Sequence, residues 1–146
     1  MTLYRTMYET ILVPTDGSEQ AAAAIPHAFD LAKTYGATVH ALCVVDRAAT
    51  RQLAPTKAES TMEAVAEEAE RATREIADRA AEAGVDCVAV VEEGAPDDTI
   101  LKYVDEHDVD MVVIGGRKRS ATGKLLFGSV TQSVVLQADV PVTVVG

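Results

Sequence analysis

Short, unbroken apolar runs alternate along this chain with longer segments of helical periodicity, and no other feature constrains the fold as much. Strands of a parallel sheet are buried on both faces, so they read as continuous Val-, Ile- and Leu-rich runs. Five such runs predict five strands: Thr10–Pro14, Thr38–Val45, Cys87–Val91, Met111–Gly115 and Val140–Val145. The predicted fold class is α/β, an open parallel sheet with helices on both faces, in one domain over residues 1–146.

The segments between these runs predict four helices, over about Glu19–Tyr35, Ser60–Ala83, Pro96–His107 and Ser129–Ala138. Pro26 falls inside the first of them, where it cannot donate a helical hydrogen bond. Pro141 likewise removes a donor from the last strand, which places that strand at an edge of the sheet. Because a bare apolar edge promotes association, the sequence predicts a dimer seam there.

Charge is distributed unevenly along the chain. The net charge is −10, yet residues 111–146 hold four cations and one acid, a net +3, so the first 110 residues carry −13. The charged residues of this last segment are Arg117, Lys118, Arg119, Lys124 and Asp139. A broadly acidic surface repels nucleic acids and anionic membranes, whereas a local basic island favours a small anion.

Location and metal binding follow from what the sequence lacks. No apolar run approaches the roughly 20 residues that span a bilayer, and residues 1–8 have no signal-peptide core, so we expect a cytoplasmic protein. Cys43 and Cys87 lie in apolar runs without a zinc or redox spacing, and we expect both to be buried small hydrophobes. The histidines are far apart in sequence and predict no ligand pair or metal site: His27, His40 and His107.

The segment from Gly115 to Ser129 combines glycines, cations and a predicted helix start directly after a buried strand. Ligands of open α/β sheets bind beyond the carboxyl ends of the strands. Gly115 and Gly116 allow a sharp turn and a close approach of the backbone to a ligand. The N–H groups of Gly128 and Ser129, at the positive end of the helix dipole, would face an anion. The segment therefore predicts a phosphate-binding loop.

Thr122–Lys124 looks like the end of a P-loop, but the full motif is absent. Lys118 stands where the motif requires glycine, and Leu125 stands where it requires Ser or Thr. The sequence therefore excludes a Walker A site.

The chain resembles the universal stress protein family along nearly its whole length. The resemblance rests on three segments, ILVPTDGS at Ile11–Ser18, VVD at Val44–Asp46 and VPVTVV at Val140–Val145. The nucleotide-binding branch of that family carries Gly-x2-Gly-x9-Gly-Ser after its fourth strand. Gly115, Gly128 and Ser129 match this spacing, and Lys118 replaces the second glycine.

The resemblance implies a Rossmann-like sheet of strand order 3-2-1-4-5 and a homodimer formed through Val140–Val145. In family members that bind ATP, adenine and ribose lie over the ends of strands 1 and 2, and the phosphates lie in the strand 4 loop. Carried over by position, Asp16 would accept a ribose hydroxyl or help to place Mg²⁺. The implied nucleotide-binding residues are Pro14, Thr15, Asp16 and Val44 for base and ribose, and Gly115, Arg117, Lys118, Gly128, Ser129, Val130 and Thr131 for the phosphates.

The sequence leaves three functions open. The favoured one is a stress-response regulatory protein that binds ATP or AMP without fast turnover, because the loop contains no His or Glu to act as a base. A slow ATPase that uses Asp16 and Mg²⁺ is one alternative, and a nucleotide-free dimeric scaffold that acts through protein partners is the other. Asp16 is about as suited to a turn and capping role as to ligand contact, and Ser129 is suited to cap its helix when no ligand is present. Lys118 would attract phosphate through its ammonium group.

Overall fold

A computed structural model describes residues 7–48, 58–119 and 125–146. Its main sheet has five parallel strands in the order β3-β2-β1-β4-β7. These strands are β1 Thr10–Pro14, β2 Thr38–Val45, β3 Cys87–Glu93, β4 Met111–Gly115 and β7 Val142–Val145. The predicted fold class and the implied strand order 3-2-1-4-5 are therefore confirmed.

Helices cover both faces of the sheet. They are α1 Glu19–Ala22, α2 Ala24–Tyr35, α3 Ala58–Ala83, α4 Pro96–Glu106 and α5 Ser129–Gln137. Alternate residues of β1 point to opposite faces, so Ile11 packs with α2 and α3, and Leu12 packs with α4 and α5. The result is two apolar layers that fix the strand ends relative to the helices. None of the helices in the described ranges is both long and apolar enough to cross a membrane.

The first predicted helix is interrupted, which corrects the expected continuous span Glu19–Tyr35. A turn at Ala23 separates α1 from α2. Pro26 has no N–H, and its ring would clash with the carbonyl of Ala22, four residues earlier. Ser18 caps α1 as its side-chain oxygen accepts a hydrogen bond from the Ala21 N–H at 3.1 Å.

Other boundaries differ by one or two residues from the sequence predictions. β3 continues to Glu93 because its pairing with β2 extends through Val45. α3 begins at Ala58, and α4 and α5 end one residue earlier than predicted, at Glu106 and Gln137. β7 begins at Val142 and not at Val140, because Pro141 cannot donate to the ladder. β7 lies at an edge of the sheet, as the proline predicted.

A two-stranded antiparallel ribbon follows β4, in the segment that the sequence predicted as a loop. It pairs β5, Arg117–Arg119, with β6, Leu125–Phe127. A run of three cations gives no apolar alternation from which a strand could have been predicted. The predicted phosphate loop is thus partly built as a ribbon.

Asp110 anchors the amino end of the central strand. Its Oδ2 accepts hydrogen bonds from the backbone N–H groups of Glu9 and Thr10, at 2.8 and 3.0 Å. The contact joins the entrance of β1 to the entrance of β4, so it fixes the register of the two strands that lead to the site.

Candidate functional site

A pocket of about 420 Å³ opens at the carboxyl ends of β1, β2 and β4. This is the edge of the sheet at which ligands of open α/β folds bind. α1, α4 and the start of α5 complete its walls. The lining residues are Pro14, Thr15, Asp16, Ser18, Gln20, Ala21, Leu42, Val44, Pro96, Ile100, Ile114, Gly115, Gly116, Gly128, Ser129, Val130 and Thr131.

One end of the pocket is formed by the amino terminus of α5. Gly128 is the N-cap, and no side chain caps the helix at this position. Ser129, Val130 and Thr131 form the first turn and line the pocket, and that turn contains no acidic residue. The first N–H groups of a helix have no partner within the helix, and the dipole adds partial positive charge. This end of the pocket is therefore suited to an anion.

The backbone conformation at Gly128 does not require a glycine. Its φ and ψ are −64° and 160°, which any residue can adopt. No described atom beyond its chain neighbours lies within 4 Å of the position that a Cβ would take. A side chain here would instead extend into the space at the mouth of α5.

Gly115 and Gly116 are required by the protein itself. A Cβ on Gly115 would lie 1.9 Å from the backbone oxygen of Gln20. Gly116 has φ +122°, and its Cβ would lie 2.5 Å from Oγ1 of Thr131. The Thr131 hydroxyl donates to the carbonyl of Gly115 at 3.0 Å. These contacts hold the exit of β4 tightly against both α1 and α5.

The exit of β1 is a tight polar turn. Thr15 Oγ1 accepts from the Gly17 N–H at 3.0 Å, and Asp16 Oδ1 accepts from the Ser18 N–H at 2.9 Å. Gly17 has φ +82°, as such a turn requires. Asp16 thus has the turn role that its sequence position predicted, and its exposed carboxylate also lines the pocket.

The opposite part of the pocket is apolar. Leu42 and Val44 come from one face of β2, Ile114 comes from β4, and Pro96 and Ile100 come from the first turns of α4. Pro96 occupies the first helical position, where its fixed φ is favourable. A flat apolar group can pack in this region while an attached anion reaches α5.

All of the predicted site residues except Arg117 and Lys118 line this pocket. Only the backbone of these two residues is described, so the contacts predicted for their side chains remain predictions. Lys118 lies in a β-strand, paired with Leu126. Strand residues have negative φ, so lysine takes the position of the family glycine without the strain of a left-handed conformation.

Several pocket residues were missed by the sequence analysis. Leu42 was available from the pattern, because it lies two residues before Val44 and shares its face of the strand. Pro96, Ile100, Gln20 and Ala21 belong to helices whose position over the strand ends becomes known only from the three-dimensional structure. The predicted helix start at Ser129 is confirmed, and Gly128 takes the N-cap position that was considered for Ser129 as an alternative to ligand binding.

Two histidines meet beneath the pocket, although they are distant in sequence. His40 Nδ1 lies 2.6 Å from the Tyr103 hydroxyl oxygen, and the Tyr103 ring stacks on His107 with centroids 3.8 Å apart. The His40 and His107 rings come within 6.3 Å of each other, centroid to centroid, because α4 packs across β2. Burial and the nearby His107 lower the pKa of His40. No group of three or more metal-type ligands occurs within the described ranges.

The two cysteines differ in their surroundings. Cys43 is buried, as predicted, and burial raises the pKa of its thiol. Cys87 is only partly buried, because β3 is an edge strand, so the prediction of full burial was wrong for this residue. Both thiols are free.

Comparisons with known proteins agree on one family. The profile of the universal stress protein family matches residues 7–146. A universal stress protein of Methanocaldococcus jannaschii is 33% identical over 140 residues, which cover 95% of this chain and 82% of that protein. The structure of UspA from Lactobacillus plantarum superposes with a TM-score of 0.81 at 31% identity, over 95% of this chain and 98% of that one.

The similar solved structures include a complex with a nucleotide. It is a universal stress protein in complex with cAMP, which is 28% identical to this chain and superposes with a TM-score of 0.67. The match covers 94% of this chain and 96% of that one.

Proposed function

This chain belongs to the universal stress protein family, and from that premise we propose that its pocket binds an adenine nucleotide, ATP or AMP, in a regulatory response to stress. The base would lie in the apolar part of the pocket, against Leu42 and Val44. The phosphates would lie at the amino terminus of α5, and the sequence also assigns Arg117 and Lys118 to them. The relative that was solved with cAMP supports the choice of an adenine nucleotide.

The observation that carries the proposal is Gly128. The φ of Gly128 is one that any residue can adopt, and a Cβ at this position would clash with no described protein atom. The absence of a side chain here leaves the amino terminus of α5 open. The helix has no acidic residue in its first turn and no side-chain cap, so its N–H groups are available to an external acceptor. Phosphate at such a position gains both hydrogen bonds and the dipole interaction.

Asp16 would bind the ribose or help to place a magnesium ion. Among the described lining residues, Asp16 is the one that has a carboxylate. Mg²⁺ is typically held by one or two carboxylates together with substrate phosphates and water, so this donor set fits an ion that arrives with the nucleotide. The ion, when bound, would neutralise phosphate charge.

The lining favours binding over catalysis. Among the described residues of the pocket, Asp16 is the one titratable side chain, and its Oδ1 is engaged by the Ser18 N–H. A hydrolase needs a group that positions or deprotonates the attacking water. We therefore propose a regulatory binding protein, and a phosphate-release rate above background that Asp16→Ala abolishes would favour the slow ATPase instead.

Calorimetric titration of the wild type and Gly128→Val with AMP, ATP and cAMP tests the proposal. We expect at least one nucleotide to bind the wild type and the valine variant to lose measurable affinity, because its side chain fills the phosphate position. Both proteins should unfold at the same urea concentration, since the backbone at Gly128 accepts any residue.

Gln132→Val is the matched control for this titration. Gln132 is exposed, lies on the same helix and does not line the pocket, so nucleotide affinity should not change. Equal affinity in the wild type and Gly128→Val would place the nucleotide elsewhere. Absence of heat with all three nucleotides would leave the nucleotide-free scaffold as the better account.

We also propose a homodimer through β7. This strand has a free edge within the described sheet, and all four of its residues are only partly buried. Leu136 on the adjacent α5 is 74% exposed. Leu136→Glu should shift the protein from dimer to folded monomer in sedimentation analysis if this surface forms the interface, and an unchanged dimer would reject it.

The remaining proposals concern domain organisation and location. We propose that residues 1–146 form one universal stress protein domain, which the profile match over residues 7–146 supports. We propose a cytoplasmic location, in keeping with two free thiols, because disulfides are rare in that reducing compartment.

A further inference from the structure

The His40–Tyr103 hydrogen bond lies one residue layer beneath the pocket. His40, Leu42 and Val44 point to the same face of β2, and the last two line the pocket. Residues two apart in a strand are separated by about 6.6 Å. The imidazole is therefore the next side chain below the apolar part of the pocket.

The helix that covers this face makes the same connection. Ile100 of α4 lines the pocket, and Tyr103 and His107 follow at intervals of three and four residues, on the same side of the helix. Tyr103 is 3% exposed and bonds His40 on β2, while His107 Nδ1 donates to the Tyr103 carbonyl at 3.2 Å. This part-buried contact thus seats α4 on β2 directly under the pocket wall.

Protonation of His40 changes this contact. In the neutral imidazole, Nδ1 can accept the Tyr103 O–H. In the imidazolium, Nδ1–H can only donate to the Tyr103 hydroxyl oxygen, so the bond reverses and the Tyr103 proton must find another acceptor. The new charge would be half-buried and close to His107, whose ring centroid lies 6.3 Å away. Burial of the charge and its repulsion by His107 oppose protonation where α4 is seated on β2.

The groups around His40 do not offset this cost. α4 contributes Tyr103 and His107. β1 contributes Leu12 at the paired position, and β3 contributes Val88 at the paired position and Glu92 farther along. Burial and the nearby Glu92 raise the pKa of Tyr103, so the phenol stays protonated. Burial and His107 lower the pKa of His40, as expected for an imidazole whose charged form is disfavoured.

We propose that nucleotide binding in the pocket and protonation of His40 oppose each other through the seating of α4 on β2. This inference rests on the proposed function, because it concerns the same pocket. Binding would order Ile100 and Leu42 against the base and so hold the neutral His40–Tyr103 contact. Acidification would release α4 and with it the nucleotide, and linkage makes the two effects equal in free energy.

NMR titration of the three imidazoles, with and without saturating cAMP, tests the inference on the intact chain. The phosphodiester of cAMP has no proton that titrates near pH 6, unlike a phosphate monoester. We expect cAMP to lower the pKa of His40 by at least about half a unit, which corresponds to about a threefold loss of affinity on protonation. His27 is exposed on α2 and serves as the internal control.

Affinity measurements provide the second arm. As the pH falls from 7.5 through the folded-state pKa of His40, the wild type and His27→Gln should lose cAMP affinity, approaching about a threefold loss once His40 is protonated, and His40→Gln should lose none. Binding of cAMP without any change in the pKa of His40 would overturn this inference and leave the proposed function intact. Failure of both cAMP and AMP to bind at any pH would contradict the proposed function and remove the inference with it.

Discussion

Gly115→Ala is the sharpest test of how the pocket wall is built. The added Cβ would lie 1.9 Å from the Gln20 oxygen, 2.7 Å from the Gln20 carbonyl carbon and 2.9 Å from the Ala21 Cα. All three are backbone atoms of α1, so no side-chain rotation can relieve the overlap. Either α1 or the end of β4 must move by more than an ångström.

The expected cost is at the upper end of that for overpacked cores, about 3 kcal/mol. For a chain of this length, each kcal/mol lowers Tm by about 2–4 °C, so Gly115→Ala should lower Tm by about 6–12 °C. Thermal unfolding followed by circular dichroism measures this shift. Gly128→Ala is the matched control, and we expect its free energy of unfolding to stay within about 0.5 kcal/mol of the wild type.

A Tm for Gly115→Ala within about 2 °C of the wild type would refute the reasoning. It would mean that α1 does not pack against the exit of β4 as described, and that Gln20 and Ala21 do not form the pocket wall at this position. A loss of equal size in Gly128→Ala would contradict the open space assigned to that position.

Three further predictions concern single side chains. Asp110→Ala removes the acceptor of two backbone N–H groups at the entrance of β1. It should lower the free energy of unfolding, measured by urea titration, by about 1–3 kcal/mol. No change would show that water replaces the carboxylate. The folded-state pKa of His40 lies below the ordinary value of about 6.5. Its contribution to stability is therefore present above pH 6.5 and is lost as the pH falls through the folded-state value. His40→Gln should flatten this part of the pH–stability curve, and an unaltered curve would assign the loss to other groups. Lys118→Ala should weaken ATP more than adenosine, by about tenfold for a charge-assisted contact, and equal losses in calorimetry would remove the phosphate role of Lys118.

The sheet was predictable from the sequence because its strands are buried on both faces. The continuous apolar runs of β1, β2 and β4 match the strands residue for residue. The helix boundaries were less certain, because they depend on local competition between hydrogen bonding and sterics. At Ala23 the missing donor and the ring of Pro26 divide one predicted helix into two, and at Pro141 the same lack of a donor shortens the last strand.

The candidate site was predictable where one loop supplies it and not where packing assembles it. Gly128 and Ser129 follow from a glycine-bearing helix start after a buried strand, and Thr131 was implied by the family resemblance. The ribbon of β5 and β6 could not be predicted, since the three consecutive cations of β5 show no strand periodicity. The contact of His40 with Tyr103 also could not be predicted, because 63 residues separate them and only the crossing of α4 over β2 brings them together.

A crystal structure of the protein grown with excess AMP tests the central claim most directly. The account predicts the adenine ring between Leu42, Val44 and Ile100, with phosphate oxygens accepting hydrogen bonds from the N–H groups at the start of α5. An empty pocket, or AMP bound at another surface with Gly128 facing only solvent, would contradict it.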